Sequence, residues 1–189
     1  MNKNYKLTLI ACYFGYIIQA IVNNLSPLLF VRFSTQFGIS EFQITFIVFL
    51  NFAVQILVDS SSAVIAMKLG YRLSTIIAQI CSTLGLIFLG TLPFIMRPYA
   101  GILIATFFMA IGGGFVEVVL SPLVEALPLK NKSGAMCFLH SFYCWGHILV
   151  VLAATAFFSF FTIEKWVFLP IALAALPAVN CILFAKCPI

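Results

Sequence analysis

Charge is scarce in this sequence. Of 189 residues only 8% are charged, while 63% are hydrophobic. Soluble domains run near half apolar and about a quarter charged. A soluble fold of this length leaves roughly 30% of its unfolded-chain surface in water, which is too much for so apolar a chain. The solvent is therefore lipid. Basic stripes are missing as well. The net charge is +5, but the ten basic residues stand singly or in pairs between apolar runs, and no nucleic-acid-binding signature accompanies them. CxxC spacing is absent too. Six cysteines (Cys12, Cys81, Cys137, Cys144, Cys181 and Cys187) lie in or beside apolar runs, where free cysteine behaves as a small buried hydrophobe. Neither disulfides nor a metal centre is expected from that spacing. The first apolar run is too long for a signal-peptide core and has no A-x-A exit, so it reads as a retained first span.

What is present is a set of long apolar runs. Six are separable, at about 7–31, 42–66, 73–95, 98–127, 135–161 and 166–185. Each is near or above the ~20 residues that cross a bilayer core as a helix. Barrel strands would be ~10 residues long and would alternate in polarity. The expectation is one all-α membrane domain, 1–189, of six transmembrane helices, with no linker or low-complexity tract. The distribution of Lys and Arg orients it. Lys3, Lys6, Lys68, Arg72, Lys130, Lys132 and Lys186 fall on one side, and Arg32, Arg97 and Lys165 on the other. Both termini are thus expected in the cytoplasm, with Tyr99 and Trp166 at the outer interface. The stretch AVIAMKLGYR (63–72) becomes a cytoplasmic hairpin, in which Gly70 supplies the left-handed backbone that a tight reversal needs.

That hairpin resembles the signature loop of the major facilitator superfamily, Gly-x-Leu-Ala-Asp-(Arg/Lys)-x-Gly-(Arg/Lys)-(Arg/Lys). Ala66, Lys68, Gly70 and Arg72 match it. Ala63 stands for glycine, Tyr71 for a basic residue and Met67 for the acid. The resemblance implies a charge network locking the cytoplasmic side, which the loss of the acid alters. FLHSFYCWGH (138–147) is similar to the fifth span of sugar-permease-like members. The Gly-x-x-x-Gly-Pro pattern of drug antiporters is absent, because Gly146 precedes His147, and a basic residue common in the fourth span is replaced within FFMAIGGG. The resemblance implies the N-terminal six-span half of such a transporter, built of two inverted three-span repeats. LSPL recurs at 25–28 and 120–123, in the two spans that the repeat would equate. It further implies a small-molecule solute as cargo, with proton coupling as one option, and a second six-span half or a homodimer partner to complete the pathway. The chain reaches Ile189 just after the sixth run, so a half-transporter, a fragment and a relic all remain open.

Polar residues at bilayer depth are costly and mark function by default. At 1.5 Å per residue, Glu117 and His147 fall near the midplane, with Gln19, Asn51 and Gln55 within about two turns. Asn51, Gln55, Asp59 and Ser62 form one stripe along span two, and Gln19 with Asn23 another on span one. Together Glu117, His147, Gln19, Asn23, Asn51 and Gln55 are expected to line half of a cavity. Glu117 either carries a coupling proton with His147 as hydrogen-bond partner, or simply bonds to His147 or to backbone near Gly112–Gly114. Asp59, Lys68, Gly70 and Arg72 belong to the cytoplasmic gate and loop, and Glu125 also lies toward that end. Gly112, Gly113 and Gly114 either admit a close helix or relieve crowding, and Pro27, Pro122 and Pro177 are expected to bend their helices. His140 and His147 lie about 10 Å apart along one helix, too far for a shared metal. No nucleophile motif, phosphate loop or paired catalytic carboxylates point to an enzyme, and no cofactor is implied. The main alternative is a non-transporting relic, or a regulatory half that binds another subunit in the cell membrane.

Overall fold

The computed structural model describes residues 5–188, apart from the side chains of Ser62, Ala63, Ala66 and Met67. Lys3, and with it the side chains of stripe residue Ser62 and motif positions Ala63, Ala66 and Met67, lie outside that description. The described chain is all-helical. Its elements are α1 (Tyr5–Leu28), α2 (Phe30–Phe37), α3 (Glu41–Ile95), α4 (Pro98–Ala126), α5 (Lys132–Phe160), a 3₁₀ turn (Ile163–Lys165), α6 (Phe168–Leu173) and α7 (Ala175–Lys186). Six stretches are long and apolar enough to cross a membrane. Spans one to three are Tyr5–Leu28, Glu41–Ser61 and Lys68–Ile95; spans four to six are Pro98–Ala126, Lys132–Phe160 and Phe168–Lys186.

Local chemistry explains most boundaries. Span one stops at Leu28, short of the expected residue 31, and α2 begins a separate helix. That helix ends on Gly38 at φ 66°, whose N–H reaches Ser34 while the N–H of Ile39 reaches Phe33, a left-handed C-terminal cap that glycine supports best. Ser40 and Gln43 then form a reciprocal capping box that starts α3. Spans two and three are arms of α3, interrupted at Gly70 with φ 80° and ψ 160°. Span six is divided at Ala174. Pro177 has no N–H to offer the carbonyl of Leu173, so the first segment closes there.

Contacts between helices give the spans alternating directions. Moving up span three, Ala78 and Ser82 face Gly112, Gly85 faces Met109, and Leu92 faces Gly101, so spans three and four are antiparallel. Span two runs parallel to span four, with Gln55 near Gly113 and Val58 near Gly114. Span five packs alongside span one through Gly146 against Ile17 and Ala20, and span six against span three through Ile171 and Gly90. The Asn180 Nδ2 amide donates to the Ala11 carbonyl at 3.2 Å, joining spans six and one. Glycines recur at these crossings because only a missing β-carbon lets two backbones approach so closely.

The bundle has two chemically distinct ends. At one, Thr8 donates to the Pro188 carbonyl at 2.9 Å, and the Arg72 guanidinium donates to the carbonyls of Ala185 at 3.1 Å and Cys187 at 2.6 Å. Lys132 donates to the Glu125 carbonyl at 2.7 Å. These cations satisfy orphan carbonyls at helix C-termini, where positive charge is favoured. At the other end Trp166 is fully buried among Phe33, Phe37 and Phe94, and its indole N–H donates to Gln36 at 2.8 Å. It stands at a span end as its position in the sequence suggested, but there it plugs the space between helices.

Arg72→Ala removes both bonds to the end of span six. Hydrogen bonds to charged groups contribute about 1.5–3 kcal/mol, reduced here because Arg72 is exposed. The expected loss is about 1–2 kcal/mol in detergent melts. Cys187, buried in the native chain, should become reactive to maleimide, with Arg72→Lys restoring only part of its protection.

Candidate functional site

Four spans converge on a cavity of about 600 Å³ in the middle of the bundle. Span one contributes Tyr16, Gln19 and Asn23, which follow at steps of three and four and so share one helical face. Span two contributes Phe52, Gln55, Ile56 and Asp59 by the same periodicity. Span four adds Glu117 and Ser121, one turn apart, and span five adds His140 and Tyr143.

Three hydrogen bonds tie the walls together. The Gln19 Nε2 amide donates to Glu117 Oε2 at 3.0 Å, joining spans one and four. The Gln55 Nε2 amide donates to Asn23 Oδ1 at 2.7 Å, joining spans one and two. The hydroxyls of Tyr16 and Ser121 lie 2.7 Å apart. Tyr16 also meets the His140 ring edge-on, with centroids 5.4 Å apart and an interplanar angle of 85°. Gln19 and Gln55 are buried, whereas Glu117, His140, Phe52 and Ile56 are exposed along the open side of the cavity. Glu117 sits nine residues before the end of α4, about 14 Å along the helix axis. A carboxylate exposed at that depth requires a wet cavity or a protein neighbour. Gln19 Oε1 is buried and has no partner among the described residues.

The glycine triplet lies behind this site and serves three neighbours at once. Gly112 abuts the backbone of span three at Ala78 and Ser82. Gly113 abuts Asn23 and Gln55, and Gly114 abuts Val58 and Asp59. Of the two readings open for these glycines, close helix approach is observed at Gly112, whereas Gly113 and Gly114 make room for neighbouring side chains. A smaller cavity of about 160 Å³ adjoins the first, sharing Asn23 and Phe52 with it and extending past Asn51, Asn24 and Thr106.

The structure brings Gln19, Asn23, Gln55, Asp59 and Glu117 around the main cavity and puts Asn51 on the adjoining one. It differs for His147, which is exposed on α5 and absent from both linings. His140 takes its place, and Gln19 occupies the position of Glu117 partner. The reason is axial. Seven residues turn a helix by almost two full turns, so His147 shares the general face of His140 but sits two turns further along the span, past Tyr143 and the end of the cavity. Lys68 and Gly70 lie at the hairpin, and Arg72 clamps the C-terminal end. Sequence reasoning missed Tyr16, Phe52, Ile56, Ser121, His140 and Tyr143. Tyr16 and Ser121 carried a usable signal, being one turn from Gln19 and Glu117. Among the described residues no three metal-ligating side chains of the chain converge.

These features define an all-helical, multi-pass membrane protein with a polar cavity at bilayer depth. No family model, curated protein or solved structure matches the chain.

The Asn23–Gln55 pair offers a test of the buried polar wall. Asn23→Leu alone strands the Gln55 amide and should cost about 1–3 kcal/mol. The Asn23→Leu/Gln55→Leu double variant should recover most of that loss, since both polar partners leave together. A double-mutant cycle from detergent melts measures the difference.

Proposed function

We propose that this chain is the six-span half of a secondary transporter of the major facilitator type, moving a small organic solute through the cavity bounded by spans one, two, four and five. A second six-span unit supplies the opposite wall. The observation that carries this reading is the cavity itself. It has polar side chains at bilayer depth, with Glu117 at its centre, and it is incomplete along the side where Glu117, His140, Phe52 and Ile56 are exposed. A lining that mixes the polar side chains of Gln19, Asn23, Glu117 and Ser121 with Phe52 and Ile56 suits a solute with hydroxyl or ammonium donors and an apolar face, as a sugar-like molecule has.

The pattern of helix contacts supports the repeat architecture. Spans one and five touch, as do four and two; three and four touch, as do six and one. Spans one and two meet, as do four and five. Exchanging spans one, two and three for four, five and six maps this contact set onto itself, which is the behaviour expected of inverted three-helix repeats. With basic residues gathered at the end bearing both termini, the positive-inside rule puts that end in the cytoplasm of a cell-membrane protein.

The test is reconstitution. The purified chain in liposomes, offered a panel of labelled polyols, amines and sugars under a pH gradient, is expected to accumulate one solute class. Cysteines at positions 68 and 130 are expected to label from the same face. Labelling from opposite faces overturns the layout. A chain that moves nothing alone yet copurifies with a second membrane subunit supports the alternative of a regulatory half, which the large exposed apolar side chains of spans two and five also suit.

A further inference from the structure

The exposed surface of α5 is divided into two flanks of different chemistry. Ala135, Leu139, Gly146, Val150 and Ala154 form its buried face. On one side of that face lie Phe138, Trp145, Leu149 and Leu152, all exposed and suited to lipid. On the other side, bordering the cavity, lie Cys137, His140, Cys144 and His147, at successive steps of three, four and three. All four are exposed, and both cysteines are free. No hydrogen bond to either imidazole is found among the described residues, although Tyr16 holds the His140 ring edge-on. Polar groups inside a bilayer need partners, and lipid tails offer none.

Thiolate and imidazole are the ligands preferred by zinc. Side chains four apart on a helix are neighbours, so His140 and Cys144 can reach one ion together. One chain offers that ion only two ligands from this turn, consistent with the absence of a three-ligand cluster among the described residues. Tetrahedral zinc takes four. A second identical helix supplies the same pair, and the resulting set of two thiolates and two neutral imidazoles cancels the charge of the ion. Inside a membrane a neutral complex is strongly preferred to a charged one.

We propose that His140 and Cys144 form a zinc site shared between two copies of this chain, one ion joining their fifth spans along the cavity border. Each ion displaces one proton from each of two thiols, releasing two protons to solvent. The site rests on the membrane-spanning layout and does not require that the chain move a solute.

The experiment uses the full chain purified in detergent micelles, titrated with ZnCl₂ and, as a spectroscopic probe, CoCl₂. One cobalt per two chains is expected, with thiolate-to-cobalt absorption in the near ultraviolet and tetrahedral bands in the visible. Zinc should convert monomer to dimer, and EDTA should reverse the change. His140→Ala and Cys144→Ser should each abolish both signals while the metal-free chain still folds, His140→Ala melting slightly lower for the lost contact with Tyr16. The Cys137→Ser/His147→Ala double variant should keep them. Signals that survive His140→Ala with Cys144→Ser overturn the proposal. So does their loss in the Cys137→Ser/His147→Ala variant, a stoichiometry of one metal per chain without dimer, or no binding. Failure of transport in liposomes leaves this result standing, and failure of metal binding leaves the transport reading standing.

Discussion

Gly112→Leu is expected to leave almost no monodisperse protein after detergent extraction. A β-carbon at Gly112 meets the backbone nitrogen of Ser82 at 2.8 Å and the carbonyl oxygen of Ala78 at 2.9 Å. Both atoms belong to a neighbouring helix backbone, which cannot swing aside as a side chain does. Overpacking by even a few atoms costs about 1–3 kcal/mol, and a leucine adds four carbons where one does not fit. Whole-domain stability is only about 5–15 kcal/mol, so several such clashes against a fixed backbone remove most of it. Gly112→Ala should survive with a lowered melting temperature. Gly113→Ala makes the contrast, since its β-carbon meets the Asn23 side-chain oxygen at 3.0 Å, and a side chain can yield slightly while keeping its bond from Gln55, as a neighbouring backbone cannot. The melting temperature of Gly113→Ala should exceed that of Gly112→Ala, and equal values would remove span-three contact as the reason for glycine there.

Glu117→Gln is expected to spare the fold and remove gradient-driven uptake. Glutamine keeps an oxygen acceptor for the Gln19 amide, so the span-one to span-four bond of 3.0 Å can persist and the melting curve should shift little. The glutamine side chain has no titratable proton to exchange. If Glu117 couples solute to protons, the accumulation ratio under a pH gradient should fall by about tenfold or more, equivalent to ~1.4 kcal/mol of lost coupling, while exchange without a gradient continues. Uptake that keeps its pH dependence in Glu117→Gln assigns the carboxylate a structural part. Glu117→Leu serves as the control for that part: it strands the buried Gln19 amide and should lower stability by about 1–3 kcal/mol, a loss that Glu117→Gln avoids.

The spans and the site were legible to different extents. Runs of about twenty apolar residues declare themselves because the bilayer imposes their length. The hairpin at Gly70 was visible for a similar reason: positive charge and a glycine interrupt two apolar runs, and the backbone there has positive φ. The stripes through Gln19, Asn23, Gln55 and Asp59 followed from helical periodicity, which needs no knowledge of neighbours. His147 did not, because the depth of a residue counted from a span end does not say at which level of the bundle the cavity lies, and the cavity stops at Tyr143. The interior position of Trp166 was equally hidden. An aromatic ring near a span end serves as an interfacial anchor or an inter-helix plug according to whether Phe33, Phe37 and Phe94 close around it.

By itself the amino-acid sequence determined that this chain dissolves in lipid, crosses it as helices, and carries its basic residues between particular pairs of spans. Those properties are sums over single residues and their spacing, so they need no partner helix. Tertiary structure alone decided that Gln19 meets Glu117, that His140 borders the cavity, and that three consecutive glycines face three different helices. Such pairings depend on how far each helix is rotated and slid against its neighbours, and that is set where backbones touch at Gly85, Gly112 and Gly146.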